Sequence, residues 1–183
     1  MIPGSLARRY ARALLGLAET GPKRDKIAKD LDAFAELCKA QDSYGVPVMT
    51  VLASERYASE DRKKLIDGFL RRLGADPLLG KFLRYVLDRG RFDGVPDIAR
   101  AYRRMADDAA GRVNAEIVSA SPLTPDALAK IKKALETVTG KQVIATTSVD
   151  PELIGGVVAK VGSYVVDGSV RSALDQLKTS LRS

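Results

Sequence analysis

The sequence predicts a mainly α-helical protein with an α+β C-terminal part: a six-helix bundle followed by a small β-α-β-β-α domain. Three observations predict it. Up to about residue 110, apolar residues recur at helical spacing in short segments separated by polar turns. After Gly111 the pattern changes to period-two alternation at Val113, Ala115 and Ile117. Charge also divides there: residues 1–110 carry 21 Lys and Arg against 16 Asp and Glu, whereas residues 111–183 carry 9 against 7. The domains are placed at 1–108 and 109–183. A chain of 183 residues is long enough for both to have cores.

The elements follow in order. Ser5 is the expected N-cap of a first helix running to about Glu19, with Gly21-Pro22 as its stop. A second helix places Ile27, Leu31, Phe34 and Cys38 on one stripe. A short third starts at Pro47 and carries Val48, Val51 and Leu52. Ser59 is expected to cap a fourth, with Leu65, Ile66, Phe69 and Leu70 on its face and Gly74 at its end. Asp76-Pro77, a cap residue before a proline at the first helical position, opens a fifth that stops at Arg89-Gly90. A sixth begins near Pro96 and carries Ile98, Tyr102 and Met105. In the second domain, strands are expected over 113–120, 142–149 and 157–166. Thr124-Pro125 opens the intervening helix, which closes at Gly140. Gly155-Gly156 breaks the chain before the third strand, and Ser169 caps a last helix carrying Val170, Leu174, Leu177 and Leu181.

Composition removes much chemistry. There is no histidine, the commonest general base and a common metal ligand, and a single cysteine, Cys38. Cys38 completes an apolar stripe and reads as a buried small hydrophobe. Gly140-Lys141 lacks the rest of a phosphate loop, since Leu135 stands five residues before Gly140 and Gln142 follows Lys141. Gly155, Gly156 and Gly162 do not have dinucleotide-binding spacing. Glu60-Asp61 and Asp107-Asp108 are helix neighbours that diverge by about 100° and read as solvated faces. No catalytic residue, cofactor-binding residue or metal ligand is therefore assigned. No apolar run approaches the roughly 20 residues that cross a bilayer. The Arg- and Ala-rich start runs directly into a structural helix rather than a cleaved leader, so the chain is expected to be soluble and to stay where it is made.

Two features point to binding. A net charge of +7 allows a basic nucleic-acid-binding protein, although Arg8-Arg9, Arg62-Lys63-Lys64, Arg71-Arg72 and Arg103-Arg104 sit on separate helices without aromatic strands. More informative is a surplus of apolar residues on helices one and five. Tyr10, Ala13, Leu14 and Leu17 form one helical face, and Leu78, Lys81, Phe82 and Tyr85 repeat that spacing. Helices apolar nearly all round are either central in a bundle or open to a partner helix.

Several of these residues carry a family resemblance. Arg9-Tyr10-Ala11-Arg12-Ala13-Leu14 is similar to the start of the delta subunits of F-type ATP synthases, the family of the mitochondrial oligomycin-sensitivity-conferring protein. Asp88-Arg89-Gly90-Arg91-Phe92 with Pro96-Asp97-Ile98 resembles that family's turn between helices five and six. The stretch from Val149 and Asp150 through Gly155, Gly156 and Gly162, continued by Asp167, Gly168, Ser169 and Arg171, resembles its signature. The resemblance spans residues 5 to 182.

It implies a non-catalytic stator subunit of a bacterial enzyme complex, peripheral on the cytoplasmic face of the inner membrane and held there only through the complex. The helical domain would hold the N-terminal helix of an alpha subunit between helices one and five. In particular, Tyr10, Ala13, Lys81 and Tyr85 would stand beside it. The C-terminal domain would join the b subunits of the peripheral stalk, and neither cofactor nor nucleic acid is implied. The alternatives are the basic nucleic-acid-binding protein and, third, a small regulatory binding module.

Overall fold

The computed structural model describes residues 3–41, 45–151, 153, 155–162 and 164–169. The chain divides into two compact units, 1–110 and 111–183. Among the described residues the first contains α1 (Gly4–Leu17), α2 (Gly21–Leu37), α3 (Val48–Ala53), α4 (Ser59–Leu73), α5 (Pro77–Asp88), a 3-10 turn (Phe92–Gly94) and α6 (Val95–Ala109). One core joins them, with Leu14, Ile27, Leu31, Phe34, Leu83, Val86, Ile98 and Tyr102 fully buried. Most of the packing of α1 is on α6. Both helices bury alanines, Ala7 and Ala11 on α1 and Ala99 and Ala106 on α6, and small side chains let helix axes approach closely. Phe34 meets Phe92 edge-on at a centroid distance of 6.2 Å and Phe69 at 6.4 Å, tying α2 to the 3-10 turn and α4. At the surface, Arg103 Nε donates to Asp32 Oδ2 at 2.8 Å, linking α6 to α2.

Local chemistry sets the helix ends, with some departures from expectation. The Asp76 side chain caps α5 by accepting from the Leu78 amide at 2.8 Å, and Gly74 ends α4 in the left-handed region with φ 59°. Ser5 does not cap α1. Pro3 stands at that position, and its carbonyl accepts the first-turn amides of Leu6 and Ala7. Ser59 likewise lies inside α4, because the Ala58 carbonyl accepts from Asp61 and Arg62. Gly21-Pro22 opens α2 instead of closing α1: proline lacks only an amide that a first turn leaves unpaired anyway. The first helix ends earlier, at Leu17, with the Ala18 amide donating to Leu14 and Leu15.

Among the described residues, the second unit runs β1 (Arg112–Ser119), α7 (Pro125–Thr139), β2 (Gln142–Val149), β3 (Gly156–Val161) and β4 (Tyr164–Ser169). The sheet order is β2-β1-β3-β4. The crossover through α7 makes β1 and β2 parallel, while β3 is antiparallel to β1 and β4 to β3. Ala115, Ile117, Val143, Ala159 and Val161 share one sheet face and bury with Leu135 of α7. Thr124 caps α7 through the Ala127 amide at 3.3 Å, and Gly140 ends it at φ 65°.

One element differs in kind. The third strand expected over 157–166 is two strands, with Val161 paired to Tyr164 across a tight hairpin. Gly162 has φ 58° and opens the turn, a role that Gly-Ser between two valine-rich runs suits. Asp167-Gly168-Ser169 belongs to the second of these strands. It lies in β4, where Asp167 pairs with Val158, Gly168 with Val157 and Ser169 with Gly156. Gly168 fits there because a Cβ would stand 3.3 Å from the Val157 carbonyl oxygen. The last helix expected after Ser169 lies outside the described residues.

A candidate partner-binding trough on the helical unit

The apolar surplus of α5 goes mainly into the core: Leu79, Phe82, Leu83, Val86 and Leu87 are buried. What remains at the surface is an edge with half-buried Leu78, exposed Lys81 and Tyr85, the last 48% exposed. On α1, Ala7, Ala11 and Leu14 face inward, leaving partly buried Tyr10 with exposed Ala13 and Leu17. Leu14 thus lies beneath the surface and not on it; Phe82 is nearly so. The Tyr10 ring stands 6.4 Å from both Phe82, edge-on, and Tyr85, tilted. Aromatic side chains therefore join α1 to α5, and this seam is the candidate trough: Tyr10 and Phe82 meet in it, with Ala13 and Leu17 exposed on α1 and Leu78 and Tyr85 on the edge of α5.

Two details escaped the sequence reading. The Arg89 guanidinium lies over the Tyr85 ring at 4.9 Å from its centroid. The i, i+4 spacing was the available signal, but a cation–π contact is one of several rotamers open to such a pair. Lys81 also lines a hollow of about 510 Å³ on the α4 side with Asp67, Arg71 and Arg84.

In the second unit, Gly156 starts β3 with φ 89°, Gly155 precedes it, and Gly162 opens the hairpin. The Asp150 amide donates to the Ser119 carbonyl at 2.9 Å, fastening the end of β2 beside β1. These residues shape the backbone of the sheet unit.

The remaining polar groups have structural roles. Cys38 is buried, and desolvation pushes its thiol up to about 12, so at neutral pH it is a protonated packing group. Tyr102 is fully buried, its hydroxyl donating to the Arg24 carbonyl at 3.4 Å, and burial raises it to about 12. Glu60 and Asp61 are exposed beside Lys63 and Lys64. Asp107, expected on a solvated face, is buried, whereas its neighbour Asp108 is exposed, since adjacent helical positions diverge. Among the described residues no three His, Cys, Asp or Glu side chains gather as a metal site, and no helix is long and apolar enough to cross a membrane.

A helical unit with an aromatic seam on its surface, followed by a small α+β sheet unit, and among the described residues no cluster of metal-ligating side chains, is an architecture suited to binding other chains. The family described as ATP synthase delta (OSCP) subunit matches residues 6–181. The chain is 39% identical to the ATP synthase subunit delta of Myxococcus xanthus over 184 residues, covering 100% of this chain and 99% of that one. It is 36% identical to that of Desulfotalea psychrophila, covering 97% and 96%, and 35% identical to that of Geobacter metallireducens, covering 100% and 99%. The chain belongs to the ATP synthase delta (OSCP) family, the non-catalytic stator subunits of the membrane-associated F-type complex. Its fold is also that of a chain in the cryo-EM structure of the Toxoplasma gondii mitochondrial ATP synthase hexamer. The TM-score is 0.68 at 24% identity, over 97% of this chain and 98% of that one.

Proposed function

We propose that this subunit ties the catalytic head of the synthase to its peripheral stalk, so that the head cannot turn with the rotor. The helical unit takes the N-terminal helix of an alpha subunit in the trough between α1 and α5. The C-terminal unit joins the b subunits. The complex works on the cytoplasmic face of a bacterial inner membrane, and this chain reaches the membrane through its partners alone. The observation that carries the reading is the aromatic contact of partly buried Tyr10 on α1 with exposed Tyr85 on α5, flanked on α1 by exposed Ala13 and Leu17. An amphipathic helix fits such a strip by laying its own apolar face into it. Binding at both ends gives the joint the strength of a linked pair of contacts, for which no catalytic group is needed.

Titration calorimetry with a synthetic alpha-subunit N-terminal peptide tests the reading. Saturable one-to-one binding that Ala13→Asp weakens supports it, and absence of binding to the folded protein overturns it. The nucleic-acid alternative predicts instead tight DNA binding with a steep salt dependence.

A further inference from the structure

The two helices that form the trough are unevenly charged. Within Gly4–Leu17, α1 has three exposed arginines and no acidic residue; Arg9, four positions before Ala13, borders the strip, while Arg8 and Arg12 lie toward the opposite side of the helix. The edge of α5 presents Lys81, Tyr85 and Arg89 at i, i+4 and i+8, a line about 12 Å long with a cation at each end. Carboxylates close to this edge are already engaged: Asp88 with Lys63 at 3.0 Å and Asp67 with Arg84 at 2.9 Å. Neither Lys81 nor Arg89 has a carboxylate among the described ion pairs. Arg89 is instead held over the face of Tyr85, a half-exposed ring that itself stands beside Tyr10.

We propose that the trough selects a helix with acidic flanks, carboxylates bordering its apolar stripe, and that Arg89 is a specificity-determining contact for them. The proposal rests on the reading of the trough as a helix-binding site and adds the chemistry of its occupant. An apolar strip alone accepts any amphipathic helix. A rim of one sign repels helices carrying basic flanks and favours those carrying acidic ones. Stacking on Tyr85 restricts the Arg89 side chain before the partner arrives, so less rotamer freedom is lost on pairing. A planar guanidinium also offers a carboxylate two parallel hydrogen bonds.

The test uses the full chain and two synthetic helical peptides with the same apolar stripe, one flanked by Glu and one by Lys. Calorimetry at low salt is expected to show the Glu-flanked peptide binding about tenfold tighter, with the gap narrowing at high salt. Arg89→Gln should weaken that peptide by about fivefold and leave the Lys-flanked one unweakened. Arg89→Lys should recover part of the loss, and Lys39→Gln, just past the end of α2 and already paired with Glu36, should change nothing. Circular dichroism confirms that each variant is folded. Equal affinity for both peptides, or indifference to Arg89→Gln, overturns the charge selection while leaving the trough intact. Failure of both peptides to bind overturns the trough as well. Binding to vesicles of anionic lipid that Arg89→Gln abolishes would show that the cations serve a membrane instead.

Discussion

Ala13→Asp separates folding from binding unusually well. Ala13 lies on α1 and is exposed in the free chain, so a carboxylate there loses no solvation when the protein folds. The helix-propensity cost of Ala to Asp is about 0.6 kcal/mol. An i−4 pairing with Arg9 returns up to about 0.5 kcal/mol, so the free protein should be nearly as stable as before. Docking of an apolar helix face across Ala13 covers the same position; the carboxylate would lose its water there, and turning away to keep it would leave the exposed Arg9 pairing outside the covered strip. Burying an unpaired polar group costs about 1–3 kcal/mol on mutational scales, and a charge costs at least the middle of that range. The expected loss is about 2 kcal/mol, which is about a 30-fold rise in Kd. Calorimetry with the alpha-subunit peptide reads the affinity, and urea unfolding checks that stability is preserved. A folded Ala13→Asp protein with unchanged affinity would refute the placement of the partner helix on this edge.

Further outcomes follow from the same geometry. Gly156→Val forces a β-branched residue into φ 89° at the start of β3 and should destabilise the C-terminal unit by a few kcal/mol, abolishing stalk binding while the helical unit keeps its circular dichroism. Gly168→Ala should cost about 1 kcal/mol, measured by urea unfolding, because its Cβ meets the Val157 carbonyl at 3.3 Å. Cys38 and Tyr102 keep their protons in the folded chain to about 12, against 9.0 and 10.0 for the ordinary groups, so the unfolded chain releases them first. Their contribution to stability is whole below pH 9 and is lost as pH rises from there toward 12, which denaturant midpoints across that range will register. Repurified protein should show no ATP hydrolysis above blank.

Periodicity made much of the fold legible. The stripes of α2 and α5, the caps at Asp76 and Thr124, and the bounds of β2 follow from local chemistry that tertiary contacts do not override. Misreadings came where one residue type serves two purposes. Gly21-Pro22 stops a helix or starts one, depending on which amides lack partners, and here Pro22 lies in the first turn of α2. The run Val157 to Val166 has strand composition throughout, so only the sign of φ at Gly162 distinguishes a long strand from a hairpin. Ser5 and Ser59 show that a good cap residue is bypassed when the preceding carbonyl already receives the first-turn amides.

The candidate site was partly visible. Helical spacing put Tyr10, Ala13 and Leu17 on one edge, but it could not say that Leu14, one position along the same face, turns fully into the core. Nor could it show the Tyr10–Tyr85 contact, which joins residues 75 apart in sequence and depends on how the bundle closes. The cation over Tyr85 depends in turn on the α5 C-terminus, where Arg89 is the capping residue.

A subunit that bridges head and stalk must hold both at once. The most direct measurement immobilises the soluble part of the b subunits, saturates it with this chain, and then flows the alpha-subunit N-terminal peptide across the surface. The peptide should be captured one-to-one with the chain, only when the chain is present, and not when the chain carries Ala13→Asp. Peptide that fails to bind the stalk-held chain, or that displaces it from the b subunits, would show that the chain does not bridge the two.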